Sequence, residues 1–231
     1  RFNEDKIRIL RAIRFATRFG CDLDSEIKKA IVLDNTPISG DGKTLSNERI
    51  RDEFLKMFKT AKDLDKMVKM INQFFLFKWI FGDLRTSEFD FNLMTDPLVF
   101  MAAFLRGNDV KTLKKVLNKK TFHNDEIATV AFLVSLQTLS KDTVVQLKKS
   151  QFKEVEGVKM PIASNDQIMD FAAAVGLDLD EIMVFLKFQL SVTGEDAMKA
   201  GIKKGAEMGK FIKSEEEKIF NTMMMERLEQ P

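Results

Sequence analysis

The sequence predicts an all-α protein, and three observations carry that prediction. Apolar residues recur at a period of 3.6 in nearly every segment, and no convincing run alternates β-branched with polar residues. Helix breakers are scarce, with four prolines and eleven glycines in 231 residues. A hydrophobic content of 45%, rich in Phe (21) and Met (13) and without Tyr, suits helices with soft apolar faces. A chain of this length buries a sizeable core, as one large or two to three smaller helical units.

The first helix lies in RFNEDKIRILRAIRFATRFG. Arg8, Arg11, Arg14 and Arg18 share one face, because spacings of three and four residues keep them within about a third of the circumference. Ile9, Ile13 and Ala16, with Leu10 at the edge, form the opposite, core-facing stripe, while Ile7 and Phe15 intrude on the basic face. Asn3 is the expected N-cap, Glu4 and Asp5 fill the first turn, and Gly20 is the C-terminal stop. A second helix is expected at 25–34, followed by the loop NTPISGDGKT. Ser46 then caps a third helix, whose buried stripe is Ile50, Phe54, Met57 and Phe58. Arg49 and Glu53 form an i,i+4 pair there, and Arg51 and Lys56 relieve the repulsion between Glu48 and Asp52. Further helices are expected at 61–80, 96–107, 109–119, 124–138 and 141–150, with Trp79 in the core. The segment 152–165 reads as a boundary loop, and helices at 165–175, 178–190, 194–213 and 214–228 complete the chain.

The apolar runs are far shorter than the roughly 20 residues needed to cross a bilayer, which predicts a soluble protein with no membrane partner. The lone Cys21 excludes a disulfide framework and agrees with a cytoplasmic location. The net charge is only +2, so any polyanion binding must use local patches. One such patch is the first helix, where arginine forks match phosphates or base edges. Another is Lys111, Lys114, Lys115 and Lys119 on one side of the helix at 109–119.

Little in the chain resembles a catalytic centre. SGDGKT is a poor phosphate loop, because Pro37 stands where its first glycine belongs and no strand precedes it. The three Asp-Leu-Asp copies, at 22–24, 63–65 and 178–180, sit where helices begin and read as caps rather than metal ligands. His123 is the only histidine and lies in a polar turn, so zinc or His-based chemistry lacks partners. No catalytic residue and no metal ligand is assigned to this chain.

The stretch EDKIRILRAIRFATRFG strongly resembles the neck of the class II tRNA nucleotidyltransferase and poly(A) polymerase family. Glu4, Asp5 and Arg8 match its Glu-Asp-x-x-Arg, and Arg11, Ala12, Arg14, Phe15 and Gly20 match its Arg-Ala-x-Arg-Phe and closing glycine. A second family element, Ser-x-Glu-Arg-Ile-x-x-Glu-x-x-Lys, is matched by Ser46, Glu48, Arg49, Ile50, Glu53 and Lys56. Cys21 departs from the pattern, which usually has an aromatic or apolar residue there. The resemblance implies an elongated neck, body and tail, here divided at 1–60, 61–152 and 153–231. It also implies addition of CCA, or part of it, to tRNA 3′ ends, using CTP and ATP. Asp5 and Arg8 would read the incoming base, with Glu4, Arg11 and Arg14 supporting them or the triphosphate. The tail adds Lys203, Lys204 and Lys210 to the lysines expected to touch tRNA. The family's head domain, with its two carboxylates and Mg2+, is expected to be missing, because the chain opens inside the neck motif; alone it should be inactive. A poly(A) polymerase of the same family, or a non-catalytic helical RNA-binding module, are the alternatives.

Overall fold

The computed structural model describes residues 2, 4–33, 36–38, 42–89 and 94–228. Among them the chain forms thirteen α-helices and one two-stranded hairpin, so the protein is all-α as its periodicity predicts. It divides into two compact units, residues 1–131 and 132–231.

In the first unit, α1 (Ile7–Phe19) buries Ile7, Ile9, Leu10, Ile13 and Ala16. Ile7 is therefore a core residue and not part of the basic face. The buried arc is wider than one stripe because α1 packs on both α3 (Asn47–Thr60) and α4 (Leu64–Gln73). Asn3 lies outside the described residues; Glu4 and Asp5 precede the helix rather than filling its first turn, and Asp5 Oδ1 accepts the Ile7 N–H at 3.2 Å. Gly20 ends α1 in the left-handed region at φ 74°, where a side chain would be strained. Lys66 of α4 donates to the Gly20 carbonyl at 3.2 Å, a cation at the negative end of α1. After α2 (Ser25–Leu33), Ser46 caps α3 as expected, and Ile50, Phe54, Met57 and Phe58 are all buried.

The helix expected at 61–80 is two helices, α4 and α5 (Phe77–Phe81). Phe75 takes φ 55° between them, the Leu76 N–H bonds the Ile71 carbonyl, and the Phe75 N–H bonds that of Asn72. This is a Schellman ending with phenylalanine in the position that glycine normally fills, at a cost of about 1 kcal/mol. With no glycine there, the break carries no local signal. Beyond it, α6 (Pro97–Leu105), capped by Asp96, is buried continuously from Val99 to Leu105. Phe54, Phe77 and Phe81 gather around its Phe100 and Phe104, with ring centroids 4.6 Å apart for Phe77 and Phe104 and 5.2 Å for Phe54 and Phe81. Trp79 is buried as expected. The next helices are α7 (Val110–Lys119) and α8 (Asn124–Ser135). His123 is exposed at the start of α8, and its N–H bonds Glu126.

In the second unit, α9 (Val144–Ser150) leads into antiparallel strands β1 (Phe152–Val155) and β2 (Val158–Pro161). The expected loop is thus a hairpin. Glu156 and Gly157 both take positive φ, as a two-residue hairpin turn requires, and the valines on either side suit strands. α10 (Asn165–Val175), α11 (Leu179–Lys187), α12 (Gly194–Lys199) and α13 (Ala206–Leu228) follow. The expected helix 194–213 breaks at Gly201, which takes φ 80°, and α13 then continues across residue 214 without interruption. Buried Glu216 of α13 accepts the N–H groups of Ser191 and Val192, each at 2.6 Å, which ties that connection to the core.

Lys148 is buried in this unit and donates to the carbonyls of Phe185 and Leu186 at 3.0 and 3.3 Å. Burial pulls its pKa down to about 8 from the ordinary 10.5. Between those values the unfolded chain binds the proton that the folded chain has released, so folding stability from this group rises with pH. Urea unfolding is expected to show wild type gaining stability from about pH 8 to 10.5 relative to Lys148→Met. Parallel pH curves would refute the assignment.

Candidate nucleotide-recognition site

Packing of α1 on α3 brings the two sequence motifs face to face. Arg49 Nη2 of α3 donates to Asp5 Oδ2 at 2.8 Å. Glu53, one turn further along α3, is buried, with its side chain 5% exposed. It receives Arg14 Nε on one carboxylate oxygen and stands 3.7 Å from Arg11 Nε on the other. Arg49 and Glu53 therefore pair across the helices instead of with each other. Two helix faces packed together offered each a partner from the α1 motif, which outweighs a local pair of a few tenths of a kcal/mol. Arg51, one of the two cations expected to relieve the repulsion between Glu48 and Asp52, pairs with Asp52 at 2.6 Å.

Asp5 lies just before α1 and Arg8 in its first turn. Burial alone would raise the Asp5 carboxyl, but hydrogen bonds from Arg49 and the Ile7 N–H, with the charges of Arg49 and Arg11, hold it below the usual range. It is ionised near neutral pH. Two of its lone pairs are used by Arg49 and Ile7, and a carboxylate has about four, so acceptor capacity remains. Arg8 is exposed and bonds Glu4 at 2.9 Å. An exposed pair of this kind is worth under about 1 kcal/mol. The two arginines nearer the C-terminal end of α1 lie over aromatic rings, Arg14 at 4.4 Å from the Phe15 centroid and Arg18 at 5.7 Å from that of Phe19.

The expected RNA-facing lysines divide into three places. Lys111, Lys114, Lys115 and Lys119 are exposed along α7, opposite the buried Leu113 and Leu117. Lys119 also lines a cleft of about 510 Å³, with Asn47, Lys78, Trp79 and Lys120; neither Asp5 nor Arg8 lines it. Lys203 and Lys204 are exposed in the turn between α12 and α13, and Lys210 is exposed on α13. Sequence spacing did not point to Arg49 and Glu53 as partners of the first motif, although both lie in the second motif at matched positions.

The acidic candidates for metal binding act as caps. Asp63 receives the Lys66 N–H, Asp178 those of Asp180 and Glu181, and Asp24 that of Glu26. Among the described residues no group of three or more His, Cys, Asp or Glu side chains is arranged to hold a metal ion. Among the same residues no helix is long and apolar enough to cross a membrane.

No family model matches the chain, and no solved structure matches it. Curated proteins do. A CCA-adding enzyme of Lactococcus lactis subsp. cremoris is 28% identical over 241 residues, covering 95% of this chain and 55% of the relative. One from Lacticaseibacillus paracasei is 24% identical over 247 residues with the same coverage of both. One from Lactobacillus gasseri is 42% identical over 57 residues, 25% of this chain and 13% of its own length. The chain spans about half the length of the longer-matching relatives, and over 95% of its own length it is similar to CCA-adding enzymes.

Proposed function

We propose that this chain is the neck, body and tail of a cytoplasmic tRNA nucleotidyltransferase that adds CCA, or part of it, to tRNA 3′ ends. The observation that carries the reading is similarity to CCA-adding enzymes along 95% of the chain. The facing motifs of α1 and α3 give it a physical basis. The neck spans 1–60, the body 61–152 and the tail 153–231. A head domain outside this chain supplies the two carboxylates and Mg2+ for the chemistry, and this chain supplies selection and grip.

Cytosine and adenine share one pattern on the pairing edge, an amino donor beside a ring-nitrogen acceptor. Asp5 accepts from the amino group, and the Arg8 guanidinium donates to the ring nitrogen. Uracil and guanine present a carbonyl where the amino group stands, and a carbonyl oxygen against the Asp5 carboxylate repels. Arg49 holds that carboxylate ionised and aimed, while Glu4 is a resting partner of Arg8. Glu53 fixes Arg14, and Arg11 beside it, which brace α1 or reach the triphosphate. Lys111, Lys114, Lys115 and Lys119, with Lys203, Lys204 and Lys210, are the proposed contacts to tRNA phosphates.

The test is extension of a tRNA lacking its 3′ CCA by the chain joined to its head domain, with each nucleotide supplied separately. C additions from CTP followed by one A from ATP are expected. A long A tail would assign the poly(A) polymerase reading, and no extension at all would leave the helical module.

A further inference from the structure

A second basic site lies in the unit of residues 132–231, away from every lysine assigned above. A groove of about 470 Å³ runs between the end of α9, the hairpin and the connection after α11. Lys148, Lys149, Lys153 and Lys159 line it, together with Gln189, and Glu154 is its one acid. Four ammonium groups against one carboxylate around a concave surface form a stronger anion trap than the same charges along the convex face of α7.

The groove would otherwise be a poor place for an anion. The C-terminal end of α11 meets it, and unsatisfied helix carbonyls there carry partial negative charge. Lys148 removes that obstacle from within, because its ammonium donates to the Phe185 and Leu186 carbonyls while it also lines the groove. A buried lysine placed on helix carbonyls leaves the other three lysines to set the field. Lys149 and Lys159 are exposed at the groove, on α9 and β2 respectively.

We infer that this groove binds backbone phosphates of RNA. The inference rests on the tRNA reading given above and supplies that reading with a phosphate site on the hairpin. Charge complementarity carries it: the lining offers ammonium groups and an amide, and lacks the arginine fork that would read a base edge.

The test measures binding of a tRNA to the full chain across a salt series. Wild type is compared with the double variant Lys149→Ala/Lys159→Ala, both surface positions, and with Glu154→Gln. The double variant is expected to bind about tenfold more weakly at low salt, with the slope of log affinity against log salt smaller by about 2. Glu154→Gln, which removes the opposing charge, is expected to bind about twofold more tightly. Inorganic phosphate serves as competitor and is not expected to displace the tRNA at equal concentration. Displacement by phosphate would assign the groove to a small phosphate ligand and overturn the RNA inference. A double variant that binds as wild type does would overturn the groove and leave the proposed function standing. Absence of tRNA binding by wild type at low salt would overturn both.

Discussion

Glu53→Ala is expected to destabilise the protein by about 3 kcal/mol, measured by urea unfolding. Glu53 is almost fully enclosed and Arg14 nearly so, with side-chain exposures of 5% and 15%. Removing the carboxylate leaves the mostly buried Arg14 guanidinium without its Glu53 partner between α1 and α3. Arg11, half-exposed, turns outward at little cost. Glu53→Gln keeps an acceptor for Arg14 and is expected to cost less. The double variant Arg14→Ala/Glu53→Ala is expected to lose less than the sum of the two single losses, because either change alone leaves its partner unsatisfied. Arg49→Ala breaks only an exposed pair with Asp5 and is expected to cost under about 1 kcal/mol. A loss near that smaller figure for Glu53→Ala would show the pair to be an ordinary surface contact.

Asp5→Ala or Arg8→Ala, in the protein joined to its head domain, is expected to lower the preference for CTP and ATP over UTP and GTP by about tenfold to a hundredfold. Each paired edge contact contributes roughly 1–3 kcal/mol of discrimination. Because the carboxylates and metal of the reaction belong to the head in this reading, the rate with the correct nucleotide should fall less than the selectivity. Neither variant should unfold the chain, since Arg8 is exposed and Asp5 is tied by one exposed ion pair and one backbone N–H. Kinetics with each nucleotide alone measure both quantities. Equal loss across all four nucleotides would place these residues in general support and not in base reading.

Most helix starts and one helix end were legible from a local signal. Ser46, Asp63, Asp96 and Asp178 announce helix starts because their short side chains reach backbone N–H groups two or three residues ahead. Gly20 announces an end because only glycine takes φ 74° freely. The break at Gly201 carried the same sign, yet the apolar period on either side of it reads as unbroken. Phe75 carried none, since its left-handed conformation is imposed by the packing of α4 and α5 and not by its own preference. The hairpin was hidden for a different reason: both strands are largely exposed, so the alternation that marks a half-buried strand is missing.

The two motifs were legible in the sequence, and the pairing between them was not. Asp5, Arg8, Arg11 and Arg14 come from one motif and Arg49 and Glu53 from the other, and spacing along a single helix suggested that Arg49 and Glu53 pair together. Which side chains meet across α1 and α3 depends on how two buried stripes interlock, a property of both helices at once. The groove at Lys148 lay further still from sequence reasoning, because it joins residues about forty positions apart through a hairpin that the pattern did not predict.

The most direct measurement of the central claim is a nucleotide titration observed through arginine side-chain nitrogen resonances in the protein joined to its head. The Arg8 guanidinium is expected to shift on addition of CTP or ATP as Glu4 is exchanged for a base, and UTP or GTP should leave it in place. Arg14, held by Glu53, should move little with any of them. An Arg8 signal that stays fixed while CTP demonstrably binds would contradict the assignment of this residue, with Asp5, as the edge that reads the base.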